Sequence, residues 1–180
     1  MKPFVFLGSA LLNAFVVVTN GAAQTITTYP IPTANSSPIA ITTDTDGNVW
    51  FTEYAANKIG RMTPAGVFTE FTVPTPNAAL PGITYGPDGN IWFVEQAVNK
   101  VAKLTPAGVF TEYSIPTTNQ QPNSIVSGPD GNLWFTGYSG MIGRITTAGV
   151  VTEFPIVANP TSITVGADGN MWFTELNQQR

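Results

Sequence analysis

One short block returns four times along these 180 residues: TDGNVWFTE at 45–53, GPDGNIWFVE at 86–95, GPDGNLWFTG at 128–137 and GADGNMWFTE at 166–175. Its turn acids Asp46, Asp88, Asp130 and Asp168 stand 42, 42 and 38 positions apart. Two further blocks keep the same register. TPAGVFTEF at 63–71 returns as TPAGVFTEY at 105–113 and TTAGVVTEF at 146–154, and KIGRM at 58–62 returns as KVAKL at 100–104 and MIGRI at 141–145. A period of about 40 residues marks a propeller or a solenoid, in which each unit buries its apolar face against the next.

Within one unit the local signals are those of strands. PGITYG at 81–86 alternates apolar with small or polar residues, Pro87-Asp88-Gly89-Asn90 reads as a turn with Gly at positive φ, and IWFVE at 91–95 reads as a second strand. NKVAKLT at 99–105 is a third, Pro106-Ala107-Gly108 a second turn, and VFTEYSIP at 109–116 a fourth. No stretch past residue 24 shows helical periodicity. Four short antiparallel strands per repeat predict an all-β chain: a β-propeller of four-stranded blades, with about four repeats over residues 24–180.

A position filled alike in every unit serves packing, so the turn acids and Trp50, Trp92, Trp134 and Trp172 are expected to be scaffold rather than four ligand sites. Ten of the eleven acidic residues occupy repeat positions, and only Asp44 stands outside them. Lys58, Arg61, Lys100, Lys103 and Arg144 fall on third strands, within reach of the fourth-strand acids Glu70, Glu112 and Glu153. The repeat charges are therefore expected to be solvated, as cross-strand pairs.

The chain opens with Met1-Lys2, an apolar run from Phe4 to Val18 and the small residues Gly21-Ala22-Ala23. That order predicts a signal peptide over 1–23, cut after Ala23. A membrane span needs roughly 20 apolar residues, and this run is shorter and broken by Gly8 and Asn13. The expected location is secreted or periplasmic, with no membrane contact after cleavage. Cysteine is absent, so export brings no disulfides and stability must come from the core. Histidine is absent too, which removes the commonest metal ligand and the usual base near neutral pH. Removing Lys2 leaves six basic against eleven acidic residues, a net charge of −5. Nucleic acid is excluded as a partner, because phosphate binding needs clustered Lys and Arg.

Blades reading P-x-x-I-x-x-G-P-D-G-N-x-W-F-T-E, then N-K-I-G-R-I-T-P-x-G, then T-E-F-x-x-P-T resemble the virginiamycin B lyases, or streptogramin lyases, over nearly all of residues 25–180. The resemblance implies a seven-bladed propeller. For the antibiotic-degrading members it implies a magnesium-assisted elimination that opens a cyclic depsipeptide, with a histidine as base seven positions before a turn Asp. The matching positions here are Ile39, Pro81, Asn123 and Thr161, none of which is a base. The family's metal-binding Glu, two positions earlier, matches Ser37, Ala79, Gln121 and Asn159. Its second metal-binding carboxylate matches Glu53, Glu95 and Glu175, with Gly137 as the exception. These three are the candidate metal ligands. The aromatic wall position that follows is Tyr54, Gln96, Tyr138 and Leu176. Tyr54 and Tyr138, with Gln121 and Asn123 in the polar stretch before the third blade, are the candidate ligand contacts.

Seven blades at this period would need about 290 residues. The exported chain would begin on a fourth strand, TITTYPIPT, and end just past a second one. The expected explanations are the N-terminal part of a longer propeller or two chains completing one ring as a homo-oligomer. Three functional readings stay open: a binding or interaction scaffold for a small molecule or protein, which needs no cofactor; a magnesium-dependent lyase whose base lies in further blades; and a structural surface repeat.

Overall fold

The computed structural model describes residues 4–7, 14–19 and 25–176, with side chains from residue 27 onward. The expected cleavage point at Ala23 lies outside the described residues. Phe4–Leu7 (β1) and Ala14–Thr19 (β2) pair antiparallel with each other, and β2 pairs with Thr25–Pro30 (β3).

Three complete blades follow. The first is Pro38–Thr43 (β4), Val49–Glu53 (β5), Lys58–Met62 (β6) and Phe68–Thr72 (β7). Ile83–Tyr85 (β8), Ile91–Glu95 (β9), Lys100–Leu104 (β10) and Phe110–Ser114 (β11) form the second, and Pro122–Ser127 (β12), Leu133–Gly137 (β13), Met141–Ile145 (β14) and Val151–Pro155 (β15) the third. Each is an antiparallel sheet in sequence order. Asn159–Val165 (β16) and Met171–Leu176 (β17) are the first two strands of a fourth. First strands touch in succession, β4 to β8 to β12 to β16, and so form the inner rim of an open array.

Neighbouring blades pack through two unlike faces. Trp50 and Ile59 of the first blade meet Ile83, Ile91, Phe93 and Leu104 of the second, while Trp92, Val94 and Val101 of the second meet Ile125, Leu133, Phe135 and Ile145 of the third. The tryptophans lie flat on fourth-strand aromatics: Trp50 on Phe71, Trp92 on Tyr113 and Trp134 on Phe154, with centroids 5.8, 5.7 and 5.5 Å apart. Of the four tryptophans expected to be scaffold, Trp50 and Trp92 are fully buried, Trp134 is half-buried and Trp172 is exposed; Phe51, Phe93 and Phe135 are fully buried beside them.

The repeated turn explains itself chemically. Asp88 accepts from the Asn90 side chain at 2.8 Å and from Trp92 Nε1 at 2.9 Å, tying the hairpin to the core ring. Gly86 makes room for this, since a Cβ there would lie 2.4 Å from Trp92 Cδ1. In the first blade Asp44 occupies the position of Gly86, and its carboxylate takes Trp50 Nε1 and the Asn48 side chain, both at 2.8 Å. The one acid outside the repeat thus performs the tie that the turn acid performs elsewhere.

Blades are also stitched by left-handed asparagines. Asn57 (φ 55°) donates to Val73 O and Thr75 O and accepts from Ala78 N; Asn99 (φ 58°) does the same with Ile115 O, Thr117 O and Gln120 N. Each amide fixes the crossing from one blade to the next.

Candidate functional site

The candidate metal and ligand residues fall at the end of the blades where second strands finish. Antiparallel register sets Glu53 opposite Lys58 and Glu95 opposite Lys100. Lys58 Nζ donates to Glu70 Oε2 at 2.8 Å and to Thr33 Oγ1 at 2.7 Å, and Thr33 donates to both Glu70 oxygens. The second blade repeats this with Lys100 on Glu112 at 2.6 Å and on Thr75 at 3.1 Å. The expected third–fourth strand pairs therefore form for Lys58 and Lys100. Arg61, Lys103 and Arg144 instead lie over Trp50, Trp92 and Trp134, and Lys103 Nζ stands 3.8 Å from Asp88. Arg61 and Lys103 also donate across to Pro106 O and Thr147 O of the next blade.

The reading of the repeat charges as solvated fails at Glu53 and Glu95. Both are fully buried, with the Ser36 side chain beside the Glu53 carboxyl and that of Glu112 beside Glu95. The loop before each first strand closes over them, held by Tyr54 N on Ser37 O at 3.2 Å and Gln96 N on Ala79 O at 2.9 Å. Burial, and then the charge of Glu70, push the Glu53 carboxyl up to about 7. Burial and Glu112 do the same to Glu95. Burial works against the charged forms of Glu70 and Glu112 as well, but hydrogen bonds from the lysines and threonines outweigh it and hold both below the ordinary carboxylate range. Each cluster thus pairs one ammonium with one carboxylate, and its second, buried carboxyl holds a proton below neutral pH, which lowers the cost of burying it.

The three candidate metal ligands stand in three different blades, and Glu175 is exposed on β17. Among the described residues no three acidic groups converge as a metal centre. The cation beside Glu53 and Glu95 is the chain's own lysine. As arranged, the clusters do not fit magnesium, which wants near-octahedral oxygen donors and keeps several waters.

The third blade lacks the cluster. Gly137 replaces the glutamate and Met141 the lysine opposite it, and Glu153 accepts from Thr117 N and Oγ1 at 3.1 and 3.0 Å. A Cβ at Gly137 would lie 2.7 Å from Met141 Cε and 3.3 Å from Cβ of the buried Gln120. The candidate ligand contacts gather partly here. Tyr138 N donates to Gln121 O at 3.2 Å, and Gln121 is exposed with φ 50°. Asn123 is held in structure, its Nδ2 on Thr161 O at 2.7 Å and its Oδ1 receiving Gln96 Nε2 at 3.4 Å. Tyr54 belongs to the first blade and is partly exposed.

Four-stranded blades packed tryptophan side to phenylalanine side define this molecule as an open β-propeller array. The profile of the virginiamycin B lyase family matches residues 13–180, and the chain belongs to that family. It is similar to the selenomethionine-substituted virginiamycin B lyase from Staphylococcus aureus, at 38% identity and TM-score 0.87, covering 97% of this chain and 63% of that one. It is similar also to a streptogramin B lyase, at 35% identity and TM-score 0.83, covering 95% and 61%. A catalytically inactive histidine-to-alanine variant of the Staphylococcus aureus enzyme, solved with quinupristin, matches at 37% identity and TM-score 0.87, covering 97% and 63%. The chain therefore spans about three-fifths of the length of these relatives. A nidogen–laminin complex shares the fold at 17% identity and TM-score 0.71.

Proposed function

We propose that this chain is a secreted or periplasmic binding scaffold of the virginiamycin B lyase family, with no lyase activity of its own. One observation carries the reading: all four positions matching the family's base hold groups that cannot abstract a proton, and the chain has no histidine. Asn123, the most polar of the four, has its amide committed to Thr161 O and Gln96. The relative that lost a histidine is named as catalytically inactive, which supports giving that residue type the decisive role. An elimination needs a base with a pKa near working pH. Glu53 and Glu95 have suitable values but are sealed from solvent. The ligand is a small molecule or a protein, met by Tyr54, Tyr138, Gln121 and Asn123, and the scaffold needs no cofactor. Export rests on the order of charges, apolar run and small residues in the leader.

The runner-up is a magnesium-dependent carbon–oxygen lyase whose histidine and metal ligands come from further blades; family membership favours it. Incubating the protein, purified together with any further blades its gene encodes, with quinupristin and magnesium separates the two. The scaffold reading expects the cyclic compound to be recovered intact. A linear isomer of unchanged mass, with the absorbance of a new conjugated double bond, would establish the lyase instead.

A further inference from the structure

The four turn acids each precede a glycine, and one of them differs from the rest in what its carboxylate holds. Asp46, Asp88, Asp130 and Asp168 are all exposed, and the glycines that follow have φ of 81°, 75°, 74° and 76°. Each glycine N–H closes its turn on a carbonyl, at 3.3, 3.1, 3.3 and 3.0 Å in the same order. Neither solvent nor backbone separates the four turns.

The side chains do. Asp88 is clamped by Asn90 and Trp92; Asp130 accepts from Asn132 Nδ2 at 2.9 Å and Trp134 Nε1 at 3.0 Å, and Asp168 from Asn170 Nδ2 at 2.9 Å and Trp172 Nε1 at 3.2 Å. Burial works against the charged form of Asp130, but these hydrogen bonds outweigh it and hold the carboxyl below the ordinary range. The Asn170 and Trp172 bonds lower Asp168 in the same way. In the first blade Asp44 has taken both donors, Asn48 and Trp50, and Asp46 is tied only by its backbone N–H, to Asp44 Oδ1 at 3.0 Å. No described residue donates to the Asp46 carboxylate.

We propose that Asp46–Gly47 is a site of spontaneous backbone modification, at which the aspartate closes to a succinimide and reopens as isoaspartate. The Gly47 nitrogen bonds to Asp46 Cγ and gives up its proton, and the hydroxyl of the protonated carboxyl leaves with that proton as water. Water then opens the ring. Attack at the Asp46 backbone carbonyl carbon leaves the main chain running through Cγ, one methylene longer and unchanged in mass. Glycine permits the closure because it has no Cβ to crowd the ring. At the other turns the clamp opposes it twice, by restraining the carboxylate and by favouring its ionised form, which is the form that cannot lose water. The product lengthens the hairpin between β4 and β5, beside the tie from Asp44 to Trp50.

The test holds the full chain at mildly acid pH and physiological temperature and reads isoaspartate at all four turns by peptide mapping with electron-transfer fragmentation. Isoaspartate should accumulate at residue 46 at least about ten-fold faster than at 88 or 130, the factor carried by one hydrogen bond to a charged group. Asp46→Glu, which would have to close a larger ring, should remove the signal. Asp44→Gly restores the order of the other blades, hands Asn48 and Trp50 to Asp46, and should slow the reaction to the rate at 88. Asn90→Ala frees half of the Asp88 clamp and should speed the reaction there, whether or not the Asp44 variant folds. Equal rates at the four turns, a rate at 46 unchanged by Asp44→Gly in a folded protein, or a rate at 88 unchanged by Asn90→Ala would overturn the assignment.

Discussion

The first two blades and the third are built on one plan but sealed differently at the end where second strands finish. The first two use Glu, Lys and Glu around a threonine, and lock the crossing to the next blade with Asn57 or Asn99. In the third, Gly137 faces Met141, Gln120 fills the space, and Gly140 stands where the asparagine would be. Ile156 O and Ala158 O hang over Gly140, 3.0 and 3.4 Å from where its Cβ would be, in the places of Val73 O and Thr75 O. Departures from the repeat therefore come as coupled sets. In the three complete blades the second-strand glutamate and the lysine opposite it are present together or replaced together.

The largest test compares the same residue in a closed and an open blade. Trp92→Ala should cost about 3–5 kcal/mol in denaturant unfolding, as for other buried aromatics. Trp172→Ala, at an exposed site, should change stability by about 0.5 kcal/mol or less. Equal costs would mean that β17 is covered in solution.

Next comes the coupled set. Gly137→Glu alone should destabilise by about 2–4 kcal/mol, since it drives a carboxyl into Met141 with no cation beside it. Adding Met141→Lys and Gln120→Ser, which rebuilds the neighbourhood of the first blade, should recover at least half of that loss. No recovery in the triple variant would break the claim that these positions change together. The smallest expected effect is at Gly140→Asn. The amide would reach the carbonyls of Ile156 and Ala158, and φ +99° offsets part of the gain, leaving an increase of about 1 kcal/mol or less in a thermal melt.

Much of the fold was legible because a propeller repeats its local chemistry: the alternation and the Asp-Gly turns appear three or four times, and the Lys to fourth-strand Glu spacing twice. Burial of Glu53 and Glu95 was not legible. A charge at a repeated position looks solvated until the loop packed over the strand end is known. Asp44 shows a related limit: matching acids by position missed that its carboxylate reaches Trp50 as Asp88 reaches Trp92. Asn57 and Asn99 carry only a turn preference in sequence, and their amides acquire meaning from carbonyls 16 and 18 residues further on.

The central claim is that the second-strand glutamates are buried parts of the scaffold that hold a proton below about pH 7. It is tested most directly by the pH dependence of stability, with and without magnesium, in the wild type and in the Glu53→Gln/Glu95→Gln variant. A carboxyl raised from 4.5 to about 7 on folding stabilises the protein fully below pH 4.5 and loses that contribution as pH climbs through 7. The wild type should therefore weaken over that window by about 3 kcal/mol per glutamate at most. The lowered Glu70 and Glu112 set the opposite trend at more acid pH. The account predicts that the double variant is flat between pH 4.5 and 7 and that magnesium shifts neither melt. A wild type that strengthens with rising pH and is stabilised by magnesium, with both effects absent from the variant, would contradict it.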